Sequence, residues 1–141
     1  MSSTPSTAAS ISAPLRLLNE LDHLRLRRLV PQRGATGPLA ELLEMADLVA
    51  PQEMPPNVAT MRSRLLLEEL PSGAQRTYTL CYPEDADPVR GDLSVLSPAG
   101  ASLLGLTVGS EARWQSLDGQ HHAVRLLEIL YQPEAAGEWS R

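Results

Sequence analysis

Residues 93–109 constrain what this chain can fold into more than any other part of the sequence. They open with the apolar residues Leu93, Val95 and Leu96, a short run that is typical of a buried strand. Ser97 and Pro98 follow, and this pair predicts the start of a helix. A serine hydroxyl accepts hydrogen bonds from the free N–H groups of a first turn, and the fixed φ of proline suits the first helical position.

The second half of this stretch predicts where the helix is buried and where it ends. Leu103 and Leu104 give the helix an apolar face, and Gly105 is suited to the left-handed conformation that stops a helix. Val108 and Gly109 then lead into another strand. The stretch therefore predicts a strand, a short capped helix and a second strand.

An apolar period of two indicates strands on both sides of this unit. Residues 64–70 and 77–82 are predicted strands around the turn residues Pro71-Ser72-Gly73. After a further strand, Asp118-Gly119 predicts a tight reversal of the chain. The last strand, residues 123–131, has apolar residues on both faces, so we expect it to be central and covered on one side by the short helix.

Before the sheet, the apolar period changes to three and four, which is typical of helices. Two such stripes are present, one of Leu17, Leu18, Leu21 and Leu24 behind Pro14 and one of Leu39, Leu42, Leu43 and Ala46 behind Pro38. The turn-rich residues 31–37 separate them, which predicts a short antiparallel helical hairpin, or coiled coil. Pro51, Pro55 and Pro56 prevent the second helix from continuing.

These patterns predict an α+β chain in five parts. Residues 1–12 are rich in Ser, Thr, Ala and Pro, and we expect them to be disordered. Residues 13–50 form the helical hairpin and residues 51–61 a linker. Residues 62–136 form an antiparallel β-sheet domain with one short helix, and residues 137–141 form a tail.

Charge and cysteine content exclude several classes of protein. The net charge is −5, and all of it resides in residues 51–141, so we expect no sequence-specific nucleic-acid binding. Cys81 is the single cysteine, which excludes an intramolecular disulfide and a cysteine-based metal cage. With no predicted signal peptide and no apolar run of transmembrane length, we expect a cytoplasmic protein that does not contact a membrane.

A search for chemistry predicts no catalytic residue, cofactor or metal. The sequence has no nucleophile motif, phosphate loop or zinc-ligand spacing. His121 and His122 are neighbours on a strand and point to opposite faces, so we expect them to be solvated. The acidic residues from Glu84 to Asp92 lack the calcium-loop pattern. A solvated loop is the preferred interpretation there, with a partner contact and a metal site as alternatives.

The stretch around Ser97 closely resembles a segment in the C-terminal domain of the bacterial Gre transcript-cleavage factors. Ser97-Pro98, Gly100-Ala101, Leu103-Leu104-Gly105 and Gly109 carry this resemblance. Within that superfamily, the chain is similar to the branch of the regulators of nucleoside diphosphate kinase. Three further segments carry that similarity: Glu53–Pro55 with Val58–Arg64, Leu80–Pro83, and Tyr131–Gly137.

The resemblance implies a fold, a partner and a docking loop. The fold is an FK506-binding-protein-like (FKBP-like) second domain, and the partner is RNA polymerase, contacted near the β′ region at its secondary channel. By position, the docking loop consists of Leu96, Ser97, Pro98 and Ala99. Gre factors often carry a polar or acidic residue where this chain has Leu96, so an apolar contact would replace a charged one. Ser97-Pro98 serves equally well as a helix cap.

The tip of the hairpin separates a cleavage factor from a protein that only binds. Gre factors carry acidic side chains there that help to hold a magnesium ion. Residues 31–37 contain no carboxylate, and the candidate tip residues are Arg27, Arg28, Gln32 and Arg33. The arginines either complement the helix macrodipole or contact an acidic polymerase surface or RNA.

We therefore expect a non-enzymatic monomer that occupies the secondary-channel entrance and competes with Gre-type factors without stimulating cleavage. The alternatives are a Gre-like cleavage factor, a prolyl isomerase and a regulator that senses a small ligand. The chain has no Phe and only five aromatic residues, which disfavours the aromatic pocket of an isomerase. The ligand-sensing alternative stays open because such sites need no motif.

Overall fold

The computed structural model describes residues 16–30 and 37–139, and within them helices and strands are short. Three helices are present: α1 (Glu20–Arg27), α2 (Pro38–Met45) and α3 (Pro98–Leu103). Seven strands accompany them: β1 (Leu17–Asn19), β2 (Asp47–Val49), β3 (Arg64–Glu69), β4 (Gln75–Cys81), β5 (Asp92–Ser94), β6 (Glu111–Gln115) and β7 (His121–Tyr131). This is a mixed α+β architecture, as the sequence predicts.

Five strands form the main sheet, in the order β5-β4-β3-β7-β6. The β3–β4, β3–β7 and β6–β7 pairs are antiparallel, whereas the edge strand β5 runs parallel to β4. The prediction of a wholly antiparallel sheet is therefore wrong at this edge. The crossover passes through the short turns at Pro83–Asp85 and Pro88–Arg90, which return the chain to the same end of the sheet. Strand β7 has a neighbour on each side, so it is not an edge strand, but the middle strand is β3 and not β7 as predicted.

The helical arm, residues 16–30 and 37–49, differs from the predicted hairpin in its helix bounds. Helix α1 begins only at Glu20, because the Asn19 side chain accepts a hydrogen bond from the Asp22 N–H at 2.7 Å and caps the helix there. Leu17–Asn19, predicted as helix, instead pairs in parallel with Asp47–Val49. The predicted helix start at residues 12–14 lies outside the described residues.

The arm and the sheet share one hydrophobic core. Leu26 of α1 and Leu39, Leu42 and Leu43 of α2 are buried in the same cluster as Leu67, Leu103 and Leu126 of the sheet domain. Leu24, predicted to belong to the buried stripe, is 54% exposed, since the three-residue strand ahead of α1 shifts the helix face. Met54, Val58 and Ala59, within the predicted linker, are buried. The arm described here is therefore packed onto the sheet domain.

None of the helices in the described part of the chain has the length and apolar character needed to cross a membrane.

Candidate functional site

The predicted docking loop lies immediately before α3, and its backbone is held by Ser94 and Ser97. The Ser97 hydroxyl donates to the Ser94 carbonyl at 2.7 Å and accepts from the Gly100 N–H at 3.0 Å. The Ser94 hydroxyl accepts from the Leu96 N–H at 3.1 Å. The predicted cap at Ser97, with Pro98 at the first helical position, is confirmed. The loop is thus fixed on both sides of Leu96.

Close contact between α3 and the preceding strand makes this loop rigid. A Cβ atom added to Gly100 would lie 2.1 Å from the Ser94 carbonyl oxygen, so only glycine permits this approach. Leu103 and Leu104 are fully buried, and Gly105 ends the turn at φ +81°. The predicted burial of Leu103 and Leu104 and the predicted helix stop at Gly105 are confirmed.

Leu96 points away from the core, contrary to the predicted buried run. Its exposed fraction is 50%, whereas Val95 beside it is fully buried. Strand β5 ends at Ser94, so the alternation of a strand no longer applies at Leu96. Ser97, Pro98 and Ala99 are partly buried. The structure therefore presents one exposed apolar side chain on a rigid loop, which is the arrangement needed for an apolar docking contact.

The structure describes only part of the predicted tip. Arg27 and Arg28 follow one another at the end of α1, and both are exposed. Gln32 and Arg33 lie outside the described residues. His23 Nε2 is 2.9 Å from the Leu43 carbonyl oxygen, a contact that joins α1 to α2. Arg27 and Arg28 are therefore placed on the arm in solvent, far along the chain from the docking loop.

A buried polar cluster joins the arm to the sheet domain, and sequence reasoning missed it. We call it the junction cluster, and it consists of Asn19, Asp22, Thr60, Ser63, Tyr82 and Glu134. Asn19 Nδ2 donates to Glu134 Oε2 at 2.5 Å and to Asp22 Oδ2 at 3.2 Å. Thr60 donates to Glu134 Oε1 at 2.7 Å, and the Tyr82 hydroxyl is 3.4 Å from Asp22 Oδ1.

Asp22 shares this cluster with a second carboxylate, that of Glu134, and the surroundings of Asp22 change its protonation. Burial, and next the nearby charge of Glu134, raise the pKa of Asp22 from 3.8 to about 6, while Arg25 acts in the opposite direction. Burial also raises the pKa of Tyr82 to about 12. The spacing of four residues that separates Asp22 from both Leu18 and Leu26 could have revealed it as a buried polar residue.

A cavity of about 340 Å³ lies between α3 and the sheet. Tyr78 and Trp114 are half-buried and line it together with Leu103 and His122. The His122 ring stacks on Trp114 with centroids 5.4 Å apart. Both histidines are exposed, and His122 contacts Ser116 at 3.1 Å. Two aromatic rings at one side of a cavity are fewer than an isomerase pocket with several would supply.

Two carboxylates of the acidic loop form local ion pairs. Arg90 lies 3.2 Å from Asp92 and 3.8 Å from Asp87. The Asp87 side chain also accepts the Val89 N–H and so caps a short turn. Within residues 16–30 and 37–139, no group of three or more His, Cys, Asp or Glu residues is arranged to hold a metal ion.

Comparisons with known proteins agree on one family. Residues 54–131 match the family described as transcription elongation factor GreA/GreB, C-terminal part. The chain is 39% identical to the regulator of nucleoside diphosphate kinase of Escherichia coli K12, over 92% of this chain and 98% of that protein. It is 33% identical to the transcription elongation factor GreA of Geobacillus kaustophilus, over 58% of this chain and 52% of that protein.

A solved structure gives the same result at the level of the fold. The prokaryotic transcription elongation factor GreA/GreB of Nitrosomonas europaea superposes with a TM-score of 0.69 at 35% identity. The superposition covers 84% of this chain and 100% of that one. The docking loop and the main sheet both lie inside the region that the family match covers.

Proposed function

Because this chain belongs to the GreA/GreB family of transcription factors, we propose that it binds RNA polymerase at the entrance of the secondary channel and excludes Gre-type factors by occupancy. The observation that carries this proposal is the exposed Leu96 on the rigid loop before α3. That loop corresponds in position to the loop through which, by the resemblance, Gre factors dock on polymerase. Half of the Leu96 side chain is exposed on this loop, whereas Val95 beside it is fully buried.

The arm supports binding without cleavage. Residues 31–37 contain no Asp or Glu, and a magnesium ion needs such oxygen ligands. The neighbouring residues Arg27 and Arg28 are exposed and cationic, so they suit an acidic surface rather than a metal ion. The short helices α1 and α2 pack against the sheet domain, which favours a position at the channel mouth over deep insertion.

In this proposal the protein is not an enzyme and acts as a monomer in the cytoplasm, where polymerase is found. The sheet domain, with its FKBP-like arrangement of α3 over the strands, anchors on polymerase through Leu96, Ser97, Pro98 and Ala99. The helical arm then lies at the entrance, with Arg27, Arg28, Gln32 and Arg33 toward its tip. A competitor that acts by occupancy needs no catalytic group.

The test is binding of the purified protein to core RNA polymerase, followed by displacement with a Gre factor. We expect saturable binding that the Gre factor displaces. Leu96→Asp should weaken binding by about tenfold or more, since a charge replaces a buried apolar contact. Leu117→Asp is the matched control, because Leu117 is 98% exposed on the β6–β7 turn and should retain full affinity.

Transcript cleavage provides the second readout. In stalled transcription complexes, we expect this protein to produce no shortening of the RNA and to inhibit shortening by an added Gre factor. RNA shortening by this protein alone would establish the Gre-like alternative. Absence of binding at micromolar concentrations would overturn the polymerase proposal as a whole.

A further inference from the structure

A groove on the opposite face of the sheet from α3 brings three arginines together in an otherwise acidic chain, with the carboxylates of Asp85 and Asp92 also in its lining. We call it the arginine groove; it has a volume of about 600 Å³, and its lining includes Arg62, Arg64 and Arg90. Strand pairing explains its position. Arg64 of β3 lies opposite Thr79 of β4 and Tyr131 of β7, so these three side chains share one face of three adjacent strands.

Two of the three arginines in the groove are not neutralised. Arg90 is paired with Asp92, which also lines the groove. Arg62 and Arg64 form no ion pair with any residue in the described ranges 16–30 and 37–139. The chain carries a net charge of −5, so two guanidinium groups without an ion-pair partner in one groove differ in sign from the charge of the whole protein.

Arg62 is held in an unusual conformation. Its φ of +68° lies in the left-handed region, which a residue other than glycine rarely adopts. Its N–H donates to the Leu80 carbonyl at 2.8 Å, and its guanidinium carbon lies 5.2 Å from the centre of the Tyr82 ring. These contacts fix the direction of the side chain before any ligand arrives, and such strained residues concentrate at functional sites.

The three segments that carry the branch-level similarity meet at this groove. Val58–Arg64 supplies Arg62 and Arg64, Leu80–Pro83 supplies Leu80 and Cys81, and Tyr131–Gly137 supplies Tyr131 and Pro133. These segments are distant in the chain, and neither the docking loop nor the tip uses them. The same segments supply Thr60, Ser63, Tyr82 and Glu134 of the junction cluster, so the groove adjoins that cluster, with Arg62 over the Tyr82 ring.

We propose that the arginine groove binds a small molecule that carries a phosphate or diphosphate group. The planar guanidinium presents paired N–H donors that match phosphate oxygens, and a volume of about 600 Å³ falls in the usual range for small-molecule sites. The Tyr131 ring offers a surface for the rest of the ligand, while its hydroxyl donates to Glu138. The exposed carboxylate of Asp85 also lines the groove and would repel the repeated negative charges of an extended acidic peptide.

The experiment uses the full chain and pyrophosphate as the probe, with sodium chloride at equal ionic strength as the reference. We expect millimolar pyrophosphate to raise the melting temperature, and isothermal titration to give one saturable site. Arg64→Gln should weaken binding by about tenfold or more through loss of a charge-assisted hydrogen bond. Arg64 is exposed, so this variant should fold even if Arg62→Gln does not.

Two further variants sharpen the test. Arg113→Gln removes an exposed arginine on β6 outside the groove and should bind pyrophosphate as the unmodified chain does. Asp85→Asn removes a carboxylate that lines the groove and should tighten binding.

A melting shift no larger than that of sodium chloride, or one retained in Arg64→Gln, would overturn the proposal. So would an oligoglutamate peptide that binds the same arginines more tightly than pyrophosphate. Polymerase binding is measured separately, so either proposal can fail alone.

Discussion

The Ser97 hydroxyl makes two hydrogen bonds that hold the loop before α3, one donated to the Ser94 carbonyl and one accepted from the Gly100 N–H. The sequence Ser97-Pro98 predicts the cap, because local chemistry determines it. The bond to the Ser94 carbonyl and the exposure of Leu96 depend on where β5 ends, which no local pattern reports. Likewise, the predicted stripe of Leu17, Leu18, Leu21 and Leu24 leaves out Leu26, which is fully buried, and the carboxylate that raises the pKa of Asp22 is Glu134, 112 residues away in the sequence.

Ser97→Ala separates the structural role of the loop from its docking role. The substitution removes the bonds to Gly100 and Ser94, so we expect a loss of about 0.5–2 kcal/mol in the free energy of unfolding. Chemical denaturation measures this loss. Leu96→Asp, at an exposed position, should leave the free energy of unfolding within about 0.5 kcal/mol of the parent value. A Ser97→Ala variant of unchanged stability would show that the hydroxyl does not serve as a cap.

The junction cluster gives the protein a specific dependence on pH. Since the pKa of Asp22 is raised from 3.8 to about 6, the folded protein binds a proton between these values that the unfolded chain has released. This group's contribution to the free energy of unfolding therefore falls as the pH rises from about 4 to about 6, and stays low above that. Glu134, Arg25 and Tyr82 are the titratable groups around it.

Asp22→Asn tests that dependence. The amide stays uncharged, so the profile of unfolding free energy against pH should lose its decline toward pH 6. Above pH 6, we expect the variant to be more stable than the parent by about 1–3 kcal/mol. Asp47→Asn, at an exposed carboxylate, is the control and should leave the profile unchanged. Parallel curves for Asp22→Asn and the parent would contradict the assignment.

Among the elements, sequence pattern predicts those whose signals are local. The period of two, the turn at Asp118-Gly119 and the cap at Ser97 predict β3, β4, β6, β7 and α3. The strands β1 and β2 have only three residues each, and their pairing depends on a contact between distant parts of the chain. The Leu17 N–H donates to the Gly105 carbonyl at 3.1 Å, so the end of α3 positions the arm. Leucine spacing carries no information about such a contact.

Gly105→Ala tests the attachment of the arm to α3. The added Cβ would lie 3.1 Å from both N and O of Leu17, and φ there is +81°. Gly73→Ala is the matched control, since φ is +82° but its nearest atom is the Glu68 Oε2 at 3.8 Å. Both substitutions should cost about 1–2 kcal/mol from the left-handed backbone. Gly105→Ala should cost about 1–3 kcal/mol more from crowding, measured by denaturation. Equal losses of unfolding free energy in the two variants would show that β1 shifts to accommodate the added methyl group without further cost.

The whole molecule behaves as one unit because its core crosses the boundary between the arm and the sheet. Leu26, Leu39 and Leu42 of the arm belong to the same buried cluster as Leu67 and Leu126 of the sheet. Junction-cluster hydrogen bonds cross the same boundary from Asn19 to Glu134 and from Tyr82 to Asp22. An arm that projected freely would unfold before the domain that carries it. Here apolar packing and buried polar bonds both oppose separate unfolding.

Leu42→Ala should therefore destabilise the sheet as well as the arm. Removing a buried leucine side chain costs about 2–5 kcal/mol, and a shared core transmits that loss to the entire chain. In a Trp139→Phe background, which removes the other tryptophan, Trp114 fluorescence reports the sheet, and far-ultraviolet circular dichroism adds the signal of the helices. We expect both probes to give one coincident transition in the parent and in the variant, shifted equally. If Leu42→Ala lowered the midpoint by circular dichroism and left the Trp114 midpoint in place, the arm would be an independent unit. Coincident shifts would mean that the arm and the sheet unfold together. A partner that binds the arm would then also stabilise the domain that carries Leu96, because binding to the folded state alone shifts the folding equilibrium.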